Sequence, residues 1–315
     1  MLNIDLACSV GGFAILGLVV VLYGVRVLVR GTAKFERVER DKGSALLGTS
    51  LMQMGYWALD IVGRRLSTMG ATANGISIAS LVLGIGAGVA LACGHFGLGA
   101  LLAVFSALGD TLDGIVARLQ GTASDAGEVL DAADDRYEEF FFLGGIVVHV
   151  RQSATGVSLV LLALLGSFMV SYATAKAEAL RAQIPRGSMR RPERAAYLIL
   201  GAALTPVVAP FTSSHVPDAA GWLLELPALA AVGLVALVAN VSAVRRLSKL
   251  AEAVGGPRSA VPPAAPPPAV VPASSSRTTE AAAPTSHRAA SPVDAPVSRP
   301  AARDAEAVAR VDAAR

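Results

Sequence analysis

The chain has 315 residues, 53% of them hydrophobic and 16% charged, with a formal net charge of +3. Soluble domains carry roughly 25% charged residues, so this composition excludes an ordinary soluble protein, and nothing in the charge balance calls for a nucleic-acid partner. Several apolar runs reach the ~20 residues that a helix needs to cross a bilayer, which predicts an all-α, polytopic membrane protein.

Residues 9–29 form the first apolar run, and Arg26, Arg30, Lys34, Arg37, Arg40 and Lys42 cluster at and beyond its end. A cleavable signal peptide has the reverse charge order. The pattern fits an uncleaved N-terminal span with a basic linker, 1–43, entering the cytoplasm. Residues 44–68 read as an amphipathic helix lying on the cytoplasmic surface. Its apolar face would be Leu47, Leu51, Met54, Leu59 and Val62, with Tyr56 and Trp57 at the interface.

Six further spans are expected at 72–93, 97–118, 126–149, 156–180, 195–213 and 222–244. The first is rich in Gly, Ala and Ser, which permit close helix packing in lipid. Lys176, Arg181, Arg186, Arg190, Arg191 and Arg194 fall between the spans at 156–180 and 195–213 or just inside them. Arg245, Arg246 and Lys249 follow the last span, whereas Arg151 is the only basic residue in the opposite loops. The positive-inside rule places the basic side in the cytoplasm and gives a multi-pass protein of the cell (inner) membrane. The membrane domain is expected to cover 44–250. Residues 251–315 are rich in Pro and Ala and read as a disordered tail.

Cys8 and Cys93 have neither zinc nor disulfide spacing and read as small buried side chains. His95, His149, His215 and His287 form no cluster, and the first three fall near predicted helix ends as solvated interfacial side chains.

The chemistry concentrates between 108 and 140. Asp110 and Asp113 lie near the end of one predicted span, and Asp131 and Asp135 near the start of the next. Spacings of i,i+3 and i,i+4 put each pair on one helix face. The short linker 119–126 lets the two helices run antiparallel with the pairs facing each other. Acids at membrane depth are costly and mark function. Four carboxylates so close would take up protons unless cations separate them, and hard divalent cations suit oxygen ligands. Taken alone, these residues also suit an ion transporter.

The full pattern is Asp110-x2-Asp113-Gly114-x2-Ala117-Arg118-x8-Gly127-x3-Asp131-x3-Asp135. It resembles, without gap or substitution, the signature of the CDP-alcohol phosphotransferase family. Thr72-Ala73-Asn74 is similar to the Thr-Pro-Asn that opens that family's six-helix core, with Ala73 in place of proline. The resemblance implies a six-helix core, here with an extra N-terminal span and the surface helix. It implies transfer of a phosphatidyl group from CDP-diacylglycerol to an acceptor alcohol, with release of CMP. It also implies that Asp110, Asp113 and Asp131 bind two divalent ions, Mg²⁺ or Mn²⁺. Asp135 would stand beside them as a further ligand and as the general base. Gly114, Ala117, Arg118 and Gly127 map to the CDP-binding part, and a homodimer is the expected assembly.

For the acceptor, Asp131-x3-Asp135-Arg136-Tyr137-x-Glu139 and Ser171-Tyr172-x3-Lys176 with Arg191-Pro192-Glu193-Arg194 resemble the inositol-phosphate-using branch. Lys176, Arg191 and Arg194 are the candidate acceptor contacts. Thr174 departs from that branch, where a basic residue is frequent. Glycerol-3-phosphate is the alternative acceptor.

Overall fold

The computed structural model describes residues 2–35, 38, 48–182, 187–215 and 221–255. All regular structure among them is helical. The helices are α1 (Leu2–Arg30), α2 (Thr49–Thr68), α3 (Ala73–Ala92), α4 (Phe96–Gln120), α5 (Asp125–His149), α6 (Ala154–Ala179), α7 (Arg191–His215), the single turn α8 (Gly221–Leu224) and α9 (Leu226–Val254). Six of them, α1, α3, α4, α6, α7 and α9, are long and apolar enough to cross a membrane.

The remaining expected span, α5, forms as a helix of 25 residues but is not apolar enough to stand with those six. At ~1.5 Å per residue it is still long enough to cross. Its first half carries the acids, which an isolated span in lipid could not tolerate. Its second half supplies the buried Phe142, Leu143, Gly145 and Ile146.

Helices α3, α4 and α5 pack as one group and α6, α7 and α9 as another, joined through α4 with α7 and α5 with α6. The shared core contains Leu91, Leu143, Ile146, Val160, Val232 and Val235, each fully buried. Small residues set the closest approach. A Cβ on Gly88 would strike the backbone of Phe141, and one on Gly145 would strike the backbone of Gly88. The α3 and α5 backbones therefore cross in direct contact, a packing mode available only to glycine.

Local signals fix the helix ends. Thr72 Oγ accepts from the Gly75 N–H at 3.2 Å, so the N-cap forms with alanine at position 73. Ser124 and Ser153 cap α5 and α6 in the same way. Gly121, at φ +67°, closes α4 in the left-handed region. The four residues 121–124 then return the chain as α5.

Helix α2 forms outside the apolar spans, but its buried positions differ in part from the predicted face. Leu51 and Val62 of its predicted apolar face are each 44% exposed, while Met54 and Gly63 are buried. Met54 and Gly63 are nine residues apart, about half a turn out of phase. Met54 joins Tyr23 and Ala33 in a cluster beside α1, and the Trp57 and Tyr23 rings lie 5.5 Å apart. Gly63 instead meets Ile115 of α4. The helix packs against both α1 and α4, so contacts on two sides add to its amphipathic pattern. Leu47 lies outside the described residues.

Cys93 is exposed, contrary to expectation, because it caps the C-terminus of α3. His95 and His149 do stand at helix ends, but each is paired: His95 Nδ1 with Asp5 Oδ2 at 3.0 Å, and His149 Nε2 with Glu225 Oε1 at 2.6 Å. Helix α9 runs to Val254, past the expected boundary at 250, and 256–315 lies outside the described residues.

Candidate active site

The α4–α5 hairpin brings the two acid pairs together as the spacing predicts. Carboxylate oxygens of Asp110, Asp113 and Asp131 lie within 4.8 Å of one another. Asp113 is buried and its Oδ2 accepts from Ser77 Oγ of α3 at 2.5 Å. Asp131 is exposed, so the trio is open on the α5 side. Three hard oxygen donors at this separation fit a divalent cation.

Asp135 is one turn further along α5 and outside the trio. Its oxygens meet Arg191 Nη1 and, at 3.8 Å, Arg136 Nη1. Arg191, the first residue of α7, also donates to Asp110 Oδ2 at 2.5 Å and to Glu138 Oε2 at 2.8 Å. Ser106 Oγ of α4 lies 2.6 Å from Glu138 Oε1. Glu138 was not singled out from the sequence, yet the signal was there. Asp131, Asp135 and Glu138 follow i, i+4, i+7, one continuous helical stripe.

Arg194, one turn after Arg191, is 1% exposed and behaves differently. Its Nε and Nη2 hold the two oxygens of Glu139 at 2.7 and 2.9 Å, and its Nη1 donates to Met189 O at 2.8 Å. Glu193 caps the start of α7 by accepting from the N–H groups of Met189 and Arg190. Ser242 Oγ and Arg246 Nη2 of α9 both donate to Ser188 O. The segment before α7 is thus tied to α9, which fixes where Arg190, Arg191 and Arg194 point.

These residues wall a cavity of about 770 Å³. Asp135, Arg136 and Glu139 of α5 line one side, Ser171, Thr174 and Glu178 of α6 another, and Arg190, Arg191, Arg194 and Arg246 the rest. Of the three candidate acceptor cations, Arg191 and Arg194 line it; Lys176 is exposed and is not part of the wall. Arg246, missed in the sequence, takes up the position left by Thr174: its Nη1 donates to Thr174 Oγ at 2.9 Å. A linear reading places Arg246 in the basic stretch after the last span, and only the fold returns it to α6.

Gly114, Ala117 and Arg118 share the last turns of α4. A Cβ on Gly114 would come 3.3 Å from Arg118 Nη1, so the guanidinium folds back over that glycine. Gly127 sits exposed in the first turn of α5, its N–H given to Ser124. A second cavity, about 350 Å³ and mostly apolar, lies between the end of α2, α3 and α4 and reaches Gly109, next to Asp110.

A family model described as CDP-alcohol phosphatidyltransferase matches residues 71–247. The chain belongs to this family. It is an integral membrane enzyme, and its matched region runs from the α3 cap to α9. Among curated proteins it is 34% identical over 166 residues to the phosphatidylinositol phosphate synthase of Mycolicibacterium smegmatis, covering 51% of this chain and 71% of that one. It is 32% identical over 122 residues to the archaetidylinositol phosphate synthase of Pyrococcus horikoshii, covering 38% and 62%. Among solved structures, the Mycobacterium tuberculosis phosphatidylinositol phosphate synthase (PgsA1) with CDP-DAG bound aligns at a TM-score of 0.54 and 25% identity. That alignment covers 64% of this chain and 98% of that one.

Proposed function

We propose that this phosphatidyltransferase moves the phosphatidyl group of CDP-diacylglycerol onto inositol phosphate at the cytoplasmic face of the cell membrane. The observation that carries the acceptor is the cavity: it joins Asp135 to a wall of arginines, which suits an alcohol bearing a phosphate. The synthases named for phosphatidylinositol phosphate among the relatives support the same choice. The basic clusters on the side of the aspartates support the cytoplasmic orientation.

In this reading the acceptor phosphate lies among the arginines and its hydroxyl points to Asp135. Asp135 takes the hydroxyl proton as the acceptor oxygen bonds to the phosphorus that carries the diacylglycerol. The bond from that phosphorus to CMP breaks, and CMP leaves with the electron pair. Two divalent ions, Mg²⁺ or Mn²⁺, bound by Asp110, Asp113 and Asp131, with Asp135 beside them, would supply charge neutralisation for the diphosphate. Gly114, Ala117, Arg118 and Gly127 border the cytidine side. The glycines let a nucleotide approach the backbone, and Arg118 offers a guanidinium to phosphate. The apolar cavity beside Gly109 gives lipid chains a route along α3 and α4. Helix α1 precedes the family-matched region, and we read it as an added anchor.

The test is CMP release by the purified full-length protein in detergent–lipid micelles with CDP-diacylglycerol and Mg²⁺ or Mn²⁺. Inositol phosphate is expected to support turnover at least about tenfold faster than inositol or serine, which lack the phosphate the arginines receive, and faster than glycerol-3-phosphate, which lacks the ring hydroxyls. A preference for glycerol-3-phosphate would overturn the acceptor and leave the family chemistry standing.

A further inference from the structure

Arg191 stands inside the acid cluster. Its Nη1 serves Asp110 and Asp135 together, and its Nη2 serves Glu138. Asp110 is therefore claimed twice, once by Arg191 and once by the carboxylate trio. Glu138 holds the guanidinium from the far side and is itself held by Ser106, whose Oγ also lies 2.7 Å from Ser80 O. Neither Glu138 nor Ser106 belongs to the eight-position motif. The arrangement differs from that of Arg194, which is bonded to Glu139, the Met189 carbonyl and Ser171 and touches none of the trio.

We propose that Arg191 is a built-in counter-cation that sets the divalent-cation affinity of the Asp110–Asp113–Asp131 trio, and that Glu138 is the residue positioning it. The inference rests on reading the trio as the cation site. A fixed guanidinium beside the trio repels an incoming ion, and its bond to Asp110 competes for one ligand. Glu138 opposes that competition because its bond to Nη2 competes with Asp110 and Asp135 for the guanidinium. Without the Glu138 charge, Arg191 settles more firmly on Asp110 and Asp135. The two substitutions therefore act with opposite sign. Arg191→Gln tightens the site and Glu138→Gln loosens it.

The experiment is Mn²⁺ binding to the full-length protein in detergent, followed by the electron paramagnetic resonance signal of free Mn²⁺, without substrates. Arg191→Gln is expected to lower the Mn²⁺ dissociation constant at least about threefold, and Glu138→Gln to raise it by a similar factor, as expected for one charge a few ångströms from the ion in a partly solvated site. A general packing defect would weaken both, so the divergence is the signature. Unchanged or weaker binding in Arg191→Gln overturns the proposal, as does equal or tighter binding in Glu138→Gln. If Arg191→Gln does not fold, Arg191→Met, of similar length and also uncharged, takes its place with the same expected tightening, so the divergence from Glu138→Gln is still read. Unchanged Mn²⁺ affinity with a raised acceptor KM in Arg191→Gln would assign Arg191 to the acceptor instead. If the wild type shows no saturable Mn²⁺ binding that Asp113→Asn abolishes, the cation-site reading itself falls.

Discussion

The α4–α5 hairpin has two ends, and they treat acids in opposite ways. At the end where α4 begins and α5 finishes, each carboxylate has its own imidazole: Asp5 meets His95, and Glu225 meets His149. Asp5 Oδ1 also accepts from the Leu98 N–H in the first turn of α4, at 3.1 Å. At the other end Asp110, Asp135 and Glu138 share one guanidinium, and Asp113 and Asp131 crowd in beside Asp110. A hairpin built only for stability would look alike at both ends. Carboxylates gathered beyond their matched partners make sense where a cation and a phosphate ester are to be handled.

The strongest way to break this contrast is to remove a single acid from the crowded end. Asp135→Asn keeps the shape but removes the proton acceptor. Turnover is expected to fall at least about 100-fold, within the range that general-base catalysis contributes. Because Asp135 lies outside the trio, Mn²⁺ binding should persist, weakened only by the few-fold that losing one nearby charge gives, and CDP-diacylglycerol binding should persist. CMP release beside equilibrium binding checks both halves. Near-normal turnover would remove Asp135 from the chemistry.

Arg194 separates stability from chemistry within the same cavity wall. Its guanidinium is 1% exposed and its partner Glu139 is 10% exposed at the side chain. Arg194→Ala leaves that carboxylate buried without its pair, which costs about 3–5 kcal/mol in comparable buried pairs. Thermal unfolding in detergent should show a clear drop in midpoint, partly recovered in Arg194→Met with Glu139→Leu. If the midpoint held and the acceptor KM rose instead, Arg194 would be a substrate contact.

How far the sequence could be read follows the same division. The helices, the acid pairs and their antiparallel facing were legible because they depend on local period and a short turn. Ser77 and Ser106 were not, since a serine in a small-residue span looks like packing until a carboxylate faces it. Arg246 was hidden because 72 residues separate it from Thr174, and nothing local marks that pairing. The double-sided burial of α2 escaped for a related reason. Gly63 reads as neutral in an amphipathic pattern, and only Ile115 opposite makes it a contact. Asp5 carries no local signal ahead of the first apolar run, although its burial ties an added helix to α4.

That last contact gives the mildest test of the contrast between the two ends. Asp5→Asn retains an oxygen for the Leu98 N–H but loses the charge facing His95 and the α4 N-terminus. A carboxylate at a helix N-terminus contributes about 0.3–1 kcal/mol, so the unfolding midpoint should fall slightly. The twelve residues from Leu98 to Asp110 span about 18 Å of helix, too far for a lost cap to disturb the acids. Turnover and Mn²⁺ affinity should therefore stay within about twofold of wild type, the scatter that non-coupled distant sites show. A large loss of either would mean that the paired end controls the crowded one through α4. The N-terminal helix would then be part of the catalytic apparatus rather than an anchor.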